Sequence, residues 1–162
     1  VIIIQIKKKM KIILIIITCF FINSISLAQT MDLKCKGNDS SKWNNCRGAK
    51  VFGQTAYVGE FMNGLANGYG TFTYSDGSVY VGEFKEGIEH GKGIFNCWAH
   101  GSKYDGQFKY GKKNGEGTYF YPDGVIYKGE WSEGKRNGNG VLTYTDGKRL
   151  VGKFKNDKYV RE

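Results

Sequence analysis

Residues 57–61 read Tyr-Val-Gly-Glu-Phe, and variants of this stretch begin again at Tyr80, Tyr104, Tyr127 and Leu150. The starting positions lie 23, 24, 23 and 23 residues apart. A fixed period in this range is typical of repeat architectures, in which each unit contacts mainly its two neighbours. The sequence from Tyr57 onward therefore predicts a tandem array.

Each copy contains two short segments in which side chains alternate between two faces. In residues 57–61, Tyr57, Gly59 and Phe61 share one face, whereas Val58 and Glu60 point to the other. Period-two alternation with aromatic and β-branched residues predicts β-strands. A lone hairpin is marginally stable in water, so we expect the hairpins to pair side by side. The predicted fold is all-β: a single elongated, twisted antiparallel sheet of tandem β-hairpins, open and solenoid-like.

Glycine is used periodically, with 24 glycines in 162 residues. The glycines between aromatic residues are predicted to leave slots into which a ring can lie. Other glycines follow Asn, His or Asp, which favours tight turns. The predicted turns inside the repeats are Asn67-Gly68, His90-Gly91, Asn114-Gly115 and Asn137-Gly138, and those between repeats are Asp76-Gly77, Asp123-Gly124 and Asp146-Gly147.

Residues 1–28 have the layout of a secretory signal peptide. Lysines precede the apolar run 12–22, and Ser26-Leu27-Ala28 follows with small residues. The run is shorter than the roughly 20 residues that span a bilayer, although an uncleaved anchor remains an alternative. Met10 is the expected start. We therefore predict a signal peptide at 1–28, a cysteine-containing cap at 29–50 and the repeat array at 51–162.

Export bears on both the charge and the cysteines. Removal of 1–28 takes away four lysines, so the formal charge of +9 falls to +5, from 20 basic and 15 acidic residues. This mild excess gives no reason to expect a nucleic-acid partner. In an oxidising compartment Cys35 and Cys46 are expected to form a disulfide, two free thiols being the alternative. Cys97 is then left as a buried, unpaired thiol, a reactive site being the alternative.

The pattern Tyr-x-Gly-x-(Phe/Trp)-x-x-Gly-x-x-x-Gly-x-Gly, followed by an aromatic residue and Asp-Gly, resembles the MORN (membrane occupation and recognition nexus) repeat. The repeats run at about 57–79, 80–103, 104–126 and 127–149, with a partial copy at 150–162. The resemblance implies a scaffold, a dimerising rod or a membrane-associated module. The expected partners are a protein or an envelope membrane surface, with a homodimer as an open alternative.

The chain is poor in groups for catalysis. His90 and His100 occupy positions held by Asn or Asp in the other copies, so both are interpreted as turn residues. The recurring carboxylates of Glu60, Glu83 and Glu130 lack calcium-loop or zinc spacing and are interpreted as solvated. We expect no enzymatic activity, no cofactor, no metal and no small-molecule substrate.

Two surfaces are candidates for binding. The first is a basic rim for anionic lipid or an acidic partner, with a merely solvated rim as the alternative. The second is the aromatic face, which is either core or a groove for a peptide, a partner rod or cell-wall sugar. Trp98, in the copy with one extra residue, is either a contact or locally packed. The rim comprises Lys112, Lys113, Lys135, Arg136, Lys148 and Arg149, and the face comprises Tyr57, Phe61, Tyr80, Phe84, Tyr104, Phe108, Tyr127 and Trp131.

These features together predict an exported, periplasmic or secreted interaction or scaffold module that associates with protein or with anionic membrane lipid. A carbohydrate-binding or cell-wall-binding module that uses the aromatic face is the alternative function.

Overall fold

A computed structural model describes residues 34–161, and the predicted signal peptide lies outside them. The described chain forms one antiparallel sheet of 11 strands in sequence order, which confirms the predicted fold class. No helix in this part of the chain is long and apolar enough to cross a membrane. The strands are β1 (Cys46–Phe52), β2 (Thr55–Met62), β3 (Leu65–Thr73), β4 (Val79–Lys85), β5 (Ile88–Cys97), β6 (Ser102–Lys109), β7 (Lys112–Phe120), β8 (Ile126–Ser132), β9 (Lys135–Thr143), β10 (Arg149–Lys155) and β11 (Lys158–Val160).

The turns inside the repeats lie four residues earlier than predicted. In the first copy the turn is Asn63-Gly64, with φ of 51° and 77°, values that suit a two-residue hairpin of type I′. The prediction of a turn at Asn67-Gly68 is wrong, because both residues lie inside β3. The corresponding turns are Glu86-Gly87, Tyr110-Gly111, Glu133-Gly134 and Asn156-Asp157. The predicted Asp-Gly turns between repeats are confirmed, at Gly77, Gly124 and Gly147.

The third glycine of each of the four full repeats lies in a β-bulge. Between the pairs Gly59–Gly70 and Phe61–Ala66, one residue of β2 faces three residues of β3, among them Gly68. The same register shift recurs in the β4–β5, β6–β7 and β8–β9 hairpins. Bulges bend a strand and increase its local twist. The repeating bulge therefore bends the sheet in each of these four hairpins.

The core is a single row of aromatic rings on one face of the sheet. Tyr57 lies over the paired glycines Gly59 and Gly70, and a Cβ built at Gly70 would stand 2.5 Å from the Tyr57 ring carbon Cε2. The predicted glycine slot is therefore present. Tyr57 meets Phe61 at 5.1 Å and Phe84, in the next repeat, at 4.9 Å between ring centroids, both edge to face. Repetition of these contacts links every hairpin to the next.

The cap closes the first end of this row. Cys35 and Cys46 form a disulfide, and Trp43 packs edge to face against Phe61 at 4.9 Å. The Trp43 carbonyl accepts a hydrogen bond from Gly64 N at 2.7 Å. β1 begins at Cys46, so the expected boundary after residue 50 falls inside this strand.

Candidate interaction surfaces

The eight rings of the predicted aromatic face form the core. Their exposed fractions lie between 0% and 8%, so they offer almost no area to a ligand. Of the two alternatives for this face, core and binding groove, the burial of the rings agrees with the core. Half-buried side chains in the second strand of each hairpin, or directly after it, pack against the row and form the accessible surface on this side: Phe72, Tyr74, Phe95, Tyr119, Tyr121 and Leu142.

The buried tyrosines also satisfy the backbone at the bulges. The Tyr57 hydroxyl donates to the Glu60 carbonyl at 2.9 Å, and the Tyr104 hydroxyl donates to the Gln107 carbonyl at 3.0 Å. Tyr80 and Tyr127 make the equivalent bonds. Burial raises the pKa of Tyr127 to about 12 and raises the pKa of the other three phenols further above their usual range.

This burial predicts unfolding at alkaline pH. The phenols of the unfolded chain ionise near pH 10, whereas those of the folded chain stay protonated, so the unfolded state loses protons first and stability falls as the pH rises above that value. Each phenol contributes a slope of up to about 1.4 kcal/mol per pH unit. Urea unfolding at several alkaline pH values, with phenolate absorbance as a second signal, measures it. Tyr104→Phe should make the fall less steep, and a stability that is flat up to about pH 12 would contradict the prediction.

The recurring carboxylates bind the bulges rather than standing free in solvent. Glu83 Oε1 accepts a hydrogen bond from Lys92 N at 3.0 Å, and Glu130 Oε1 accepts one from Asn139 N at 2.8 Å. Gln107 lies over Gly115 in the same way, as Glu60 lies over Gly68. These side chains are exposed or half-exposed, and those of Glu83 and Glu130 also accept hydrogen bonds from the backbone at the bulges. The signal that could have found this role is their fixed position opposite a glycine eight residues later.

The six residues of the predicted rim lie in three different places. Lys112 and Lys135 flank hairpin turns and are exposed on the face opposite the rings. Lys113 and Arg136, one position later, point to the ring side because side chains alternate along a strand. Lys148 and Arg149 lie at the opposite ends of the strands, beside the Asp146-Gly147 turn that joins β9 to β10. The residues therefore do not form one continuous rim.

A larger basic surface lies at the hairpin turns on the face away from the rings. We call it the tip row, and its members are the two residues that flank each turn. The row changes along the sheet from apolar to basic. Met62, Leu65 and Ile88 are 43–49% exposed, and the lysines of the later hairpins are exposed as well. The tip row comprises Met62, Leu65, Lys85, Ile88, Lys109, Lys112, Ser132, Lys135, Lys155 and Lys158.

Neighbouring members of the tip row are in register from one hairpin to the next. A Cβ built at the turn residue Gly87 would be 3.9 Å from Leu65, and one at Gly111 would be 3.6 Å from Ile88. Lys112 Nζ pairs with Glu133 Oε2 at 2.5 Å. Leu65, Ile88 and Lys112 thus each reach the following turn, which joins the tip row across these hairpins.

Lys113 is held among rings. Its Nζ lies 4.1 Å from the Tyr119 ring centroid and 4.8 Å from that of Trp131. Burial lowers the pKa of its ammonium group, and no carboxylate of residues 34–161 lies within 4.0 Å of it. Arg136 differs, because its guanidinium donates to the Asp157 carbonyl at 2.6 Å.

A groove of about 350 Å³ lies on the ring side beside Lys113. The half-buried rings of Tyr74 and Phe95 form part of its wall, and the Tyr74 hydroxyl donates to the Glu89 carboxylate. The Glu89 carboxylate already accepts a hydrogen bond, whereas the Lys113 ammonium group has no carboxylate partner among the described residues. The groove is therefore apolar, with the Lys113 ammonium group as a cation that a ligand could contact.

The remaining sequence candidates lie apart from these surfaces. Trp98 is 80% exposed and stands over the Gly77 turn. Cys97 is a free thiol and is half-buried rather than buried. His100 lies in a turn as predicted, whereas His90 lies in β5 and packs against Tyr110, so its interpretation as a turn residue is wrong. Within residues 34–161, no three His, Cys, Asp or Glu side chains gather to hold a metal ion.

Comparison with known proteins agrees with this architecture. The MORN repeat profile matches residues 57–79, 80–97, 104–126 and 127–149. The chain belongs to the MORN repeat family. These repeats in general mediate interactions with proteins or membrane lipids and are non-enzymatic.

No curated protein matches the chain. Among solved structures, the chain is similar to the SAS-4 (dCPAP) TCP domain in complex with a proline-rich motif of Ana2 (dSTIL) from Drosophila melanogaster. Sequence identity is 14%, the match covers 83% of this chain and 97% of that chain, and the TM-score is 0.32. At this TM-score the similarity says nothing about what this chain does.

Proposed function

We propose that this protein is an exported, non-catalytic interaction module that docks on an anionic membrane surface through its tip row. The observation that carries the proposal is the composition of that row, with exposed Met62, Leu65 and Ile88 at one end and lysines at the other. Apolar side chains insert into the headgroup boundary, and lysines attract anionic lipid. The row combines both contributions on one side of the sheet.

The groove on the ring side supports a protein partner held at the same time. Its rings offer apolar contact area, and Lys113 offers a partly desolvated cation to an acidic side chain. The groove is also lined by Lys112 and by the turn residues Gly111 and Gly134, so it adjoins the tip row at these hairpins. This arrangement describes a scaffold with two adjoining contact surfaces.

Sedimentation with vesicles tests the membrane surface. Replacing Lys135 and Lys158 with Ser should weaken binding to phosphatidylglycerol vesicles by about 2 kcal/mol at low salt, about 30-fold, because each well-placed lysine contributes roughly 1 kcal/mol. Added salt should weaken binding of the unaltered protein, since exposed charges are screened.

The matched control is the pair Lys148→Ser and Arg149→Ser. It removes the same charge at the ends of the strands that lie away from the tip row. We expect this variant to keep most of its binding. Equal losses in the two variants, or equal binding to phosphatidylcholine and phosphatidylglycerol vesicles, would show that net charge or non-specific adhesion explains the result.

A further inference from the structure

One position on the ring side carries a different residue in each repeat. It is the second residue of the second strand of a hairpin, and it lies opposite a core ring of the first strand, as Glu89 lies opposite Phe84 and Lys113 opposite Phe108. Because its side chain points to the ring side, it decides what fills the space between the rings of that repeat. The residues at this position, in chain order, are Ala66, Glu89, Lys113, Arg136 and Tyr159.

In the third and fourth repeats a cation of the chain itself fills this space. Lys113 Nζ lies 4.1 Å from the Tyr119 ring centroid and 4.8 Å from that of Trp131. The Tyr104 ring forms a third wall, with its centroid at 5.5 Å. The guanidinium carbon of Arg136 lies over two core rings at 5.3 and 5.5 Å. Since a ring attracts a cation within about 6 Å of its centroid, the surroundings of this position suit a positive charge.

The second repeat has the same three walls, which we call the second-repeat cage. They are the rings of Tyr80, Phe95 and Phe108, and all three line the groove of about 350 Å³. Tyr80 meets Phe108 edge to face at 4.9 Å, close to the 5.2 Å of the matching pair in the third repeat. Among residues 34–161, no lysine or arginine lies over these three rings. The residue at the variable position is Glu89, a carboxylate instead of a cation.

Glu89 supplies a negative charge at the wall of the second-repeat cage. Its Oε1 accepts a hydrogen bond from the Tyr74 hydroxyl, which holds the side chain beside the rings. Its Oε2 lies next to the turn residue Gly111, where a built Cβ would be 3.3 Å away. No basic group of the described chain lies within 4.0 Å of this carboxylate. The cage therefore combines three rings with an oxygen that can accept a further N–H group.

We propose that the second-repeat cage binds a lysine or arginine side chain of the partner protein that the groove holds. The cationic group lies among the three rings, as Lys113 does in the third repeat, and donates a hydrogen bond to Glu89 Oε2. Because this bond needs an N–H donor, the cage favours a basic side chain over the quaternary ammonium group of a choline headgroup. The inference rests on the proposed role of the groove in holding a protein.

The spacing of the two charged positions adds a requirement on the partner. Glu89 lies in β5 and Lys113 in β7, so two strand spacings separate them, about 10 Å. Glu89 attracts a basic side chain, and Lys113 attracts an acidic one. The groove therefore fits a segment that carries one basic and one acidic side chain about 10 Å apart.

Titration with a small cationic probe tests the cage. The probe is N-acetyl-arginine amide, and its neutral counterpart is N-acetyl-citrulline amide, which has nearly the same shape. Amide NMR spectra of the isotope-labelled protein give the two dissociation constants, and the largest shifts should occur at Glu89, Phe95 and Gly111. We expect the arginine probe to bind about fivefold more tightly, because only its side chain is charged. Equal binding of the two probes would overturn the proposal.

Three variants separate the cage from net charge. Glu89→Gln should weaken binding of the arginine probe about fivefold. The control Glu116→Gln removes the same charge from the face away from the rings and should leave binding unchanged. Glu89→Lys should abolish saturable binding, because its own ammonium group then fills the cage as Lys113 does in the third repeat. Equal losses in the two glutamine variants, or undiminished binding by Glu89→Lys, would contradict the proposal.

Further probes distinguish this inference from the proposed function. Choline that bound more tightly than the arginine probe would assign the cage to a lipid headgroup and overturn the choice of a basic side chain. An acidic probe, N-acetyl-aspartate amide, tests the Lys113 part of the groove, and vesicle sedimentation tests the tip row. If the arginine probe failed to bind while both of these interactions were present, the cage would be overturned and the proposed function would stand.

Discussion

Gly117→Ala should destabilise the protein by about 3–5 kcal/mol, comparable to the loss of a large buried ring. Gly117 pairs with Gly106 beneath Tyr104, and a Cβ built there would stand 2.5 Å from the Tyr104 ring carbon Cε2. The ring is fully buried between Phe108 and Trp131. The added methyl group must displace it and so break the row of rings in mid-array. Urea unfolding followed by tryptophan fluorescence and circular dichroism measures the loss.

The matched control is Gly134→Asn in a hairpin turn. Gly134 has a φ of 82°, which Asn tolerates better than most residues, and a Cβ there meets nothing within 4 Å. We expect a loss of about 1 kcal/mol or less. If the two substitutions proved equally harmful, glycine would be needed for backbone conformation in general, and the close approach of Tyr104 would not be the cause.

Removal of the disulfide should have the second largest effect. Cys35 and Cys46 are 11 residues apart, and opening a loop of this size lowers stability by about 3 kcal/mol in the chain-entropy description. The cap also places Trp43 against Phe61. In the double variant Cys35→Ser and Cys46→Ser we therefore expect the first hairpin to lose the lid over its core ring.

The position of this effect distinguishes it from a general loss of stability. In repeat proteins each unit interacts mainly with its neighbours, so opening of the cap should spread only a short distance. Hydrogen exchange should accelerate in β1–β3 and stay nearly unchanged in β8–β9. Cys97→Ser, which alters a free thiol, is the control. Uniform acceleration along the sheet would contradict the prediction.

Much of the fold could be predicted from the sequence because its pattern is local and repeated. The repeat period, the alternation of side chains between two faces and the recurring aromatic residues together predict hairpins in one sheet. The aromatic residues also predict the row of rings that forms the core. The sequence places the turns inside the repeats four residues too late, since Asn63-Gly64 and Asn67-Gly68 have the same local preference for positive φ. The structure decides between them by placing Gly70 under the Tyr57 ring, which puts Gly68 in a bulge.

Which residues form the candidate surfaces depends on where the turns inside the repeats lie. The sequence by itself determined that lysines and arginines accumulate toward the later repeats, and that their neighbours are strands. Only the tertiary structure decided that Lys112 faces the tip row while Lys113 lies among rings, because adjacent residues in a strand point to opposite faces and the turn sets which face is which. A shift of one residue in the turn would exchange the two faces for every side chain of the strand, and long-range packing of the rings holds the turn in place.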